Sequence, residues 1–502
     1  MDKESSAWIR NRGWSRWLAA ALIALCGAWV YWPALNRVFA GDQIAYFLEL
    51  DGGTSLASGL RLIDYPAVRQ HEKGDEVLYR PLTHLGLALE NAAFGRDFRR
   101  WNLASLVLHL GVACLLFGVL WSIRRTPLAL AGALWFVLLP SNFELVSWNH
   151  LGVYMLGYGL LLAALRAARE LGEDGAGARW LWIHGITMTG AMLVHEIAVV
   201  AAIGSAAFVA WSRWKKPRTN WKSLAVAGGA PLLIYAVLYG FHVARCERFL
   251  WVDPHAAASS WAGLASLPPL LGQWAQRILL PGHSMLGVRA FWRSGWLPPS
   301  GDWAWGTWGA GVLWLGLLAC LWRGLARRRL KEAWPFGALL ALLILSYAAM
   351  NGLGRSNAMA IAYYAYFPAL FGCVLLYSLF DFSRLGRRAQ PLALACLLLL
   401  AALNGWHTRR ISEQVREANR SAAQFHGWLE QAVRPWLGEP GFTFAVEGVP
   451  PELDIQGPVR VGYPDEGRTV TKTLLQCLYG RHYDRAAPAE TFVFPGFGAF
   501  PP

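Results

Sequence analysis

Long apolar stretches, separated by short polar segments, recur along most of the chain. A helix needs about 20 mainly apolar residues to cross the hydrocarbon core of a membrane. On this basis the pattern predicts about eleven transmembrane helices, at 18–35, 101–121, 128–142, 151–165, 180–194, 197–211, 223–240, 303–322, 334–350, 361–380 and 391–407. Residues 180–211 fit either two short helices hinged at His195 and Glu196 or one long tilted helix. We favour two, because the basic residues before and after the pair then lie on the same side of the membrane.

Two segments between the predicted helices, 36–100 and 241–302, are too long to be simple connectors. Within them, residues 84–95 and 261–280 have the amphipathic pattern of helices that lie in the membrane interface. Because successive helices cross the membrane in opposite directions, both long segments are predicted on the outer side.

The chain after residue 407 has a different pattern. Residues 411–437 have a helical period, whereas 442–448 and 458–463 alternate like strands, and 470–480 fit another helix. The sequence therefore predicts an all-α polytopic membrane protein with a small C-terminal α/β region on the outer side. Residues 1–407 would form the membrane domain and residues 408–502 the C-terminal domain.

Composition supports a membrane protein and excludes other classes. Of the 502 residues, 55% are hydrophobic and only 16% are charged, whereas soluble domains carry about 25% charged residues. An intrinsically disordered chain would need low hydrophobicity and high charge. The seven cysteines include no CxxC pair, which excludes a zinc ribbon or a disulfide scaffold. Only Cys246 and Cys477 lie in predicted outer regions, where they could pair.

The net charge of +14 records the predicted topology. The predicted cytoplasmic pieces hold 22 Lys and Arg against 7 Asp and Glu, and they are 1–17, 122–127, 166–179, 212–222, 323–333 and 381–390. This asymmetry follows the positive-inside rule and places the N-terminus in the cytoplasm and the C-terminus in the periplasm of a bacterial inner membrane. Nucleic-acid binding is not indicated, because the basic residues form short loops and not one continuous stripe.

Several ionisable residues are predicted near the outer membrane face, where their burial would be costly without a function. They are Asp42, Arg80 beside Tyr79, Glu144, His195, Glu196 and Arg355. A carboxylate can act as general base toward an acceptor hydroxyl, and arginine can bind a phosphate through two parallel hydrogen bonds. Tyrosine and tryptophan suit the faces of sugars and the headgroup layer. Together these residue types indicate group transfer from a lipid phosphate.

Each of these residues also has a purely structural interpretation. Asp42 could cap an interfacial helix, and Arg80 could extend toward the headgroups or set the topology. Glu144 could be a solvated turn residue. His195 and Glu196 are the hardest to explain structurally, because they interrupt an otherwise apolar stretch of about 30 residues.

Other chemistries lack their motifs. The chain contains no GxxxxGK[ST], no HExxH and no GxSxG, so ATP-driven transport, zinc proteolysis and serine hydrolysis have no support. No residue pattern indicates a site for a divalent metal, although the sequence does not exclude such a metal.

One ordered set of motifs resembles a known family. Tyr79-Arg80-Pro81-Leu82-Thr83, then Glu90-Asn91-x3-Gly95, then Asn102 and His109 resemble the YRPL…N…G…N…H run of membrane protein O-mannosyltransferases. The pattern is most similar to the branch that bears tetratricopeptide repeats and to its bacterial relatives. Three later segments follow in the same order: Leu139–Trp148, Val194-His195-Glu196, and Gly354-Arg355 with the tyrosines that follow it.

The resemblance implies a member of the C-type superfamily of integral-membrane glycosyltransferases. Its members use a sugar on a polyprenyl or dolichyl phosphate carrier, without a nucleotide at the site. It implies that Asp42 is the base or a group that orients the acceptor, and we expect Asp42 to be the base. We also expect Arg80 and Arg355 near the donor phosphate, with Tyr79 and Glu144 lining the site. His195 and Glu196 would also line or orient it. The implied partners are membrane lipid, the lipid-linked donor, and an acceptor hydroxyl on a protein, lipid or glycan.

The chain departs from that family at three points. Asp42 is followed by Gln43, so the first outer loop offers one carboxylate where the family has an acidic pair. His195 replaces the lysine of the family's Lys-Glu pair, and no tetratricopeptide repeats follow. Two other functions therefore stay open, namely an O-antigen polymerase or ligase and a transporter or flippase for lipid-linked sugars.

Overall fold

The computed structural model describes ten segments of the chain. They are residues 14–37, 79–95, 97–147, 149–173, 177–214, 221–245, 330–352, 362–379, 389–448 and 488–495, with the single residues 270, 271, 274 and 278. All structural statements below concern these residues.

Helices make up most of the described chain. They are α1 (Trp14–Tyr31), α2 (Pro81–Phe94), α3 (Phe98–Ile123), α4 (Leu128–Val137), α5 (Phe143–Ser147), α6 (Gly152–Gly172), α7 (Ala178–Val194), α8 (Ile197–Arg213), α9 (Trp221–Arg245), α10 (Leu330–Gly352), α11 (Tyr366–Leu379) and α12 (Ala389–Val433). Single 3-10 turns lie at Trp32–Ala34, Pro140–Asn142, Asn149–Leu151 and Ala362–Ala365. Two short strands, β1 (Phe444–Glu447) and β2 (Glu490–Val493), complete the described elements.

The apolar pattern located the helices well. Ten of the eleven predicted segments coincide with a helix, and the eleventh, 303–322, lies outside the described residues. By length and composition, four described helices can cross a membrane, or five if the bent pair that begins with α4 is one span. The described chain is thus that of an integral membrane protein, and the number of eleven crossings stays a prediction.

The predicted helix at 128–142 ends early. α4 stops at Val137, and the next helical segment, Pro140–Ser147, is bent from it by 47°. Proline has no N–H to donate and forces the preceding residue out of the helical region, and Leu139 is extended here. The Phe136 carbonyl at this helix end accepts from the Asn142 side-chain amide at 2.7 Å and from the Leu139 N–H at 3.2 Å.

The segment at 180–211 forms two helices, as predicted. α7 ends at Val194 and α8 begins at Ile197. His195 between them is extended, with φ −152° and ψ 128°. This break brings His195 and Glu196 to the end of the bundle at which α1 and α10 finish and α2 and α11 start.

The described basic loops lie at the opposite end of the bundle. Arg124 donates to the carbonyls of Tyr377 and Ser378 at the end of α11, and Arg213 donates to the Leu171 carbonyl at the end of α6. Arg169 is within electrostatic range of Arg124. We call this the basic end and the other the site end. The separation agrees with the positive-inside prediction, while the orientation of both ends across a membrane stays a prediction.

The predicted amphipathic segments are helical where they are described. Residues 84–95 fall on α2, which begins at Pro81 and packs against α3, α6 and α7. Of residues 261–280, only four are described, and two of these, Leu270 and Trp274, are buried in the main core. The interfacial position of both segments stays a prediction.

The C-terminal region combines a helix and a short sheet. α12 continues without a break from residue 389 to 433, so the predicted segments 391–407 and 411–437 form one helix. β1 falls within the predicted strand 442–448 and pairs in parallel with β2. Both strands pack on Phe425 and Leu429 of α12. The predicted elements at 458–463 and 470–480 lie outside the described residues, and the division of the chain near residue 407 stays a prediction.

Candidate active site at the helix ends

An arginine and a carboxylate from distant parts of the chain meet at the site end. Arg80, the residue before α2, donates from Nε to Glu196 Oε2 at 2.7 Å and from a terminal nitrogen to the other carboxylate oxygen. This is the two-point contact that the planar guanidinium favours. The other terminal nitrogen of Arg80 donates to the Tyr154 hydroxyl on α6, and the guanidinium carbon lies 5.2 Å from the centre of the Tyr154 ring.

Local structure explains why Glu196 is at this place. It immediately precedes the first residue of α8, where the partial positive charge of a helix N-terminus stabilises an anion. Thr83 of α2 donates through its hydroxyl to the Val194 carbonyl at 3.0 Å. That bond ties the start of α2 to the end of α7 and therefore holds Arg80 beside Glu196.

The arginine–carboxylate pair is largely withdrawn from solvent. The side chains of Arg80 and Glu196 are 14% and 11% exposed. Burial alone raises the pKa of the Glu196 carboxyl, but the Arg80 guanidinium more than offsets this and the pKa falls to about 2. Glu196 is therefore ionised at neutral pH, and the site contains an intact ion pair.

His195 is neutral and packed among aromatic rings. Burial lowers its pKa to about 4, with a smaller opposing effect of Glu196. Its Nδ1 accepts from the Ile197 N–H at 3.3 Å, so the ring proton is on Nε2. We therefore do not treat the 3.7 Å separation of His195 Nδ1 and Glu196 as an ion pair. The ring of His195 packs edge-on against Tyr154, with centroids 5.3 Å apart, and lies beside Tyr158.

Tyr79, the residue before Arg80, packs against α9. Its ring contacts three side chains of α9, namely Tyr235, Tyr239 and His242, with centroids 4.8–6.2 Å apart. Tyr154 of α6 thus contacts the arginine directly, and Tyr235 of α9 lies within electrostatic range of it.

Glu144 belongs to a second polar group at the site end. The buried Arg37, which follows α1, donates to the Ser147 hydroxyl at 2.5 Å, and Ser147 lies on α5 with Glu144. Burial lowers the pKa of Arg37 to about 10, and the nearby Glu144 carboxylate partly opposes this, so the two charges attract each other. Asn102 donates to the carbonyls of Leu35 and Arg37, both at 2.8 Å, and fixes the chain at the end of α1.

A column of buried rings connects the two polar groups. Tyr158 beside His195 stacks on Tyr366 at 5.9 Å, and the Tyr366 hydroxyl is 3.1 Å from His109 Nδ1. His109 in turn packs edge-on against Tyr31, close to Phe143 at the start of α5. Both polar groups are therefore parts of one rigid end of the bundle.

The structure brings together four of the residues that the sequence indicated. Tyr79, Arg80, His195 and Glu196 form one cluster, and Glu144 lies in the second. Asp42 and Arg355 lie outside the described residues, although they follow Arg37 and α10 in the chain. Their place in the site stays a prediction.

Two polar residues of these clusters were missed in the sequence. Tyr154 is spaced four residues from Tyr158 on α6, and this one-face tyrosine pair was the available signal. Arg37 was overlooked because an arginine just after an apolar span is normally an exposed topological residue. Here it is only 3% exposed.

The described residues contain no group of three or more His, Cys, Asp or Glu side chains arranged to hold a metal ion. What they offer is a largely buried guanidinium fork that is paired with Glu196 and packed against Tyr154. Such an arrangement suits a phosphate ester attached to a ring-shaped, partly apolar group.

Comparison with known proteins found similar structures but no matching sequence. No family model and no curated protein sequence matches the chain. The chain is similar to the crystal structure of ArnT from Cupriavidus metallidurans bound to undecaprenyl phosphate, with a TM-score of 0.46 and 12% identity over 87% of this chain and 83% of that chain. For ArnT from the same organism in the apo state, the TM-score is 0.43 at 12% identity, over 89% and 83%. The function proposed below rests on the residues of this chain.

Proposed function

We propose that the protein is an integral-membrane glycosyltransferase that moves a sugar from a polyprenyl phosphate carrier to an acceptor hydroxyl. The reaction would occur at the non-cytoplasmic face of a bacterial inner membrane. The observation that carries the proposal is the buried two-point pair of Arg80 and Glu196, held at one end of an apolar helix bundle. The proposal also draws on the resemblance of the motifs around Tyr79 and Arg80 to those of C-type glycosyltransferases.

Arg80 would bind the phosphate of the carrier. A phosphate monoester or diester offers the same pair of anionic oxygens as a carboxylate, so it can take the place of Glu196 on the guanidinium fork. The Tyr154 hydroxyl and ring would keep the guanidinium in its plane during this exchange. Glu196 thus neutralises Arg80 while no donor is bound, which avoids leaving a buried charge without a partner.

The transfer step breaks the bond between the anomeric carbon of the sugar and the phosphate oxygen and forms a bond from that carbon to the acceptor oxygen. The proton of the acceptor hydroxyl passes to a carboxylate, and we assign this role to Asp42. Polyprenyl phosphate leaves with its negative charge stabilised by Arg80, and we place Arg355 beside it as a second cation. Glu144, held by Arg37, and the neutral His195 would line the site and orient the acceptor hydroxyl.

The decisive experiment measures transfer of radiolabelled sugar from polyprenyl phospho-sugars by purified protein in bilayers. Wild type should release polyprenyl phosphate, and Asp42→Ala should lose at least 100-fold in rate, the typical contribution of a general base. Arg80→Lys keeps the charge but loses the two-point geometry, so it should retain weak activity, whereas Arg80→Ala should retain none. Binding of the lipid-linked sugar without release of polyprenyl phosphate would instead favour the transporter.

A further inference from the structure

A compact group of four aromatic side chains includes Tyr79, the residue that precedes Arg80. It consists of Tyr79, Tyr235, Tyr239 and His242, and we call it the aromatic wall. The three members on α9 are spaced four and three residues apart, so they lie on one face of that helix. Tyr79 directly precedes Arg80 in the chain, so the wall and the arginine share one chain segment.

The rings of the wall hold one another in place. Tyr79 lies 4.8 Å from His242, 6.1 Å from Tyr239 and 6.2 Å from Tyr235, measured between ring centres. Tyr235 and Tyr239 stack with centres 5.9 Å apart and planes within 10°. Tyr235 and His242 are buried, whereas Tyr79 and Tyr239 are half-buried. The wall therefore has a fixed inner part and an outer part that a ligand can contact.

The wall also faces the charged pair. Tyr235 lies within electrostatic range of both Arg80 and Glu196. A phosphate on Arg80 would therefore place the group that it carries next to these rings.

The opposite face of α9 has a different chemistry. Its exposed residues are all hydrocarbon side chains: Leu233, Ile234, Val237, Leu238 and Phe241. That face suits contact with membrane lipid. The isoprenoid tail of the carrier can stay in the same lipid, so it does not require the aromatic wall as a binding site. The wall instead combines ring faces with phenol hydroxyls and an imidazole. This combination matches a sugar, which has apolar C–H faces and a polar edge of hydroxyls.

We propose that the aromatic wall binds the sugar of the lipid-linked donor while Arg80 binds its phosphate. The inference rests on the proposed function and extends it by assigning the sugar subsite to named residues. Because Tyr79 of the wall directly precedes Arg80 in the chain, the subsite and the phosphate site would be linked to each other.

Tyr239 is the best residue to test, because it is half-buried and belongs to the outer part of the wall. Binding of three probes to purified protein in nanodiscs would be measured: undecaprenyl phosphate, undecaprenyl phospho-mannose and undecaprenyl phospho-glucose. Wild type should bind at least one sugar-bearing lipid more tightly than undecaprenyl phosphate. Tyr239→Leu should weaken that binding about tenfold, equivalent to about 1.4 kcal/mol, and leave undecaprenyl phosphate within about twofold.

Two further variants complete this experiment. Tyr239→Phe keeps the ring and removes the hydroxyl, so its loss of sugar-lipid binding should be smaller than that of Tyr239→Leu. Phe241→Leu, on the lipid-facing side of the same helix, should bind all three probes like wild type. If Tyr239→Leu does not fold, Tyr239→Phe still tests the wall, because loss of the hydroxyl should weaken only the sugar-bearing probe.

The outcomes separate the subsite from the function. Equal weakening of all three probes would assign the wall to the carrier and overturn the sugar subsite, with the transferase proposal intact. No preference of wild type for either sugar-bearing lipid, or no effect of either Tyr239 variant, would also overturn the subsite. Failure of wild type to bind even undecaprenyl phosphate would overturn the proposed function itself.

Discussion

At the scale of single residues, the ion pair of Arg80 and Glu196 determines what the site end can bind. Each charge would be costly to bury alone, and removing one partner of a buried pair costs about 3–5 kcal/mol. The folded-state pKa of Glu196, about 2, lies below its ordinary value. Its contribution to stability is therefore complete above the ordinary carboxyl pKa of about 4.3 and is lost as the pH falls toward 2. Between pH 5 and 8 the contribution of this pair should not vary.

Substitution of Glu196 by glutamine should have opposite effects on stability and on phosphate binding. Glu196→Gln should lower the thermal unfolding midpoint, because Arg80 loses its anionic partner. It should also bind undecaprenyl phosphate more tightly, because the competing carboxylate is gone. Arg80→Met combined with Glu196→Gln should be less destabilised than the sum of the single variants, with a coupling energy of about 1–3 kcal/mol. Weaker phosphate binding by Glu196→Gln would contradict the exchange of carboxylate for phosphate.

At the scale of secondary structure elements, close packing of α6 against α7 positions the turn that bears His195 and Glu196. Gly157 of α6 faces Val194, the last residue of α7. A Cβ atom at Gly157 would lie 2.5 Å from a methyl group of Val194, which is closer than van der Waals contact allows. Only glycine lets the two helices approach this far, so one hydrogen atom at position 157 helps to set the location of the charged pair.

Gly157→Ala should therefore displace Val194 and, with it, the turn that follows. We expect a loss of stability of about 1–3 kcal/mol from overpacking, together with weaker binding of undecaprenyl phosphate. Gly185→Ala is the matched control, because a Cβ at that position on α7 meets no atom within 4 Å. It should be neutral or slightly stabilising, since alanine favours helix over glycine. Equal effects of both variants on unfolding and binding would refute this role of Gly157.

At the scale of the whole molecule, charge and chemistry are segregated along the bundle. Arg124, which follows α3, and Arg213, the last residue of α8, lie at the basic end, whereas the ion pair, the aromatic wall and the C-terminal strands are associated with the site end. α12 links the site end to the C-terminal strands. Its Thr408 hydroxyl donates to the Leu138 carbonyl near the site end, and the helix then continues to the strands. The protein would thus keep its charged topology signals away from the face where the reaction occurs.

Labelling with a membrane-impermeant thiol reagent would test this orientation. In a cysteine-free variant, Gly438→Cys after α12 should react from the periplasmic side of intact cells. Gly177→Cys, in the loop before α7, should react only after the membrane is opened. Neither glycine has an atom near its Cβ position, so both substitutions should leave the fold intact. Labelling of both positions in intact cells would refute the predicted topology.

The sequence by itself determined the helices, because burial in lipid demands long apolar stretches whose spacing is visible without a structure. It also singled out Arg80, His195 and Glu196, because ionisable residues are costly in such surroundings. It did not indicate β2, nor the early end of α4 at Val137.

Only the tertiary structure decided which of these residues meet. Arg80 and Glu196 are 116 residues apart in the chain, and no local pattern encodes their contact. It follows from the packing of α2 against α6 and α7, to which Thr83 contributes by bonding to Val194. The packing of α2 on α6 also brought in Tyr154, and the packing of α9 on α7 and α8 brought in the α9 tyrosines. In the sequence these tyrosines resemble ordinary aromatic residues of apolar helices. A linear pattern fixes which residues are costly to bury, whereas the three-dimensional contacts fix which partner makes the burial tolerable.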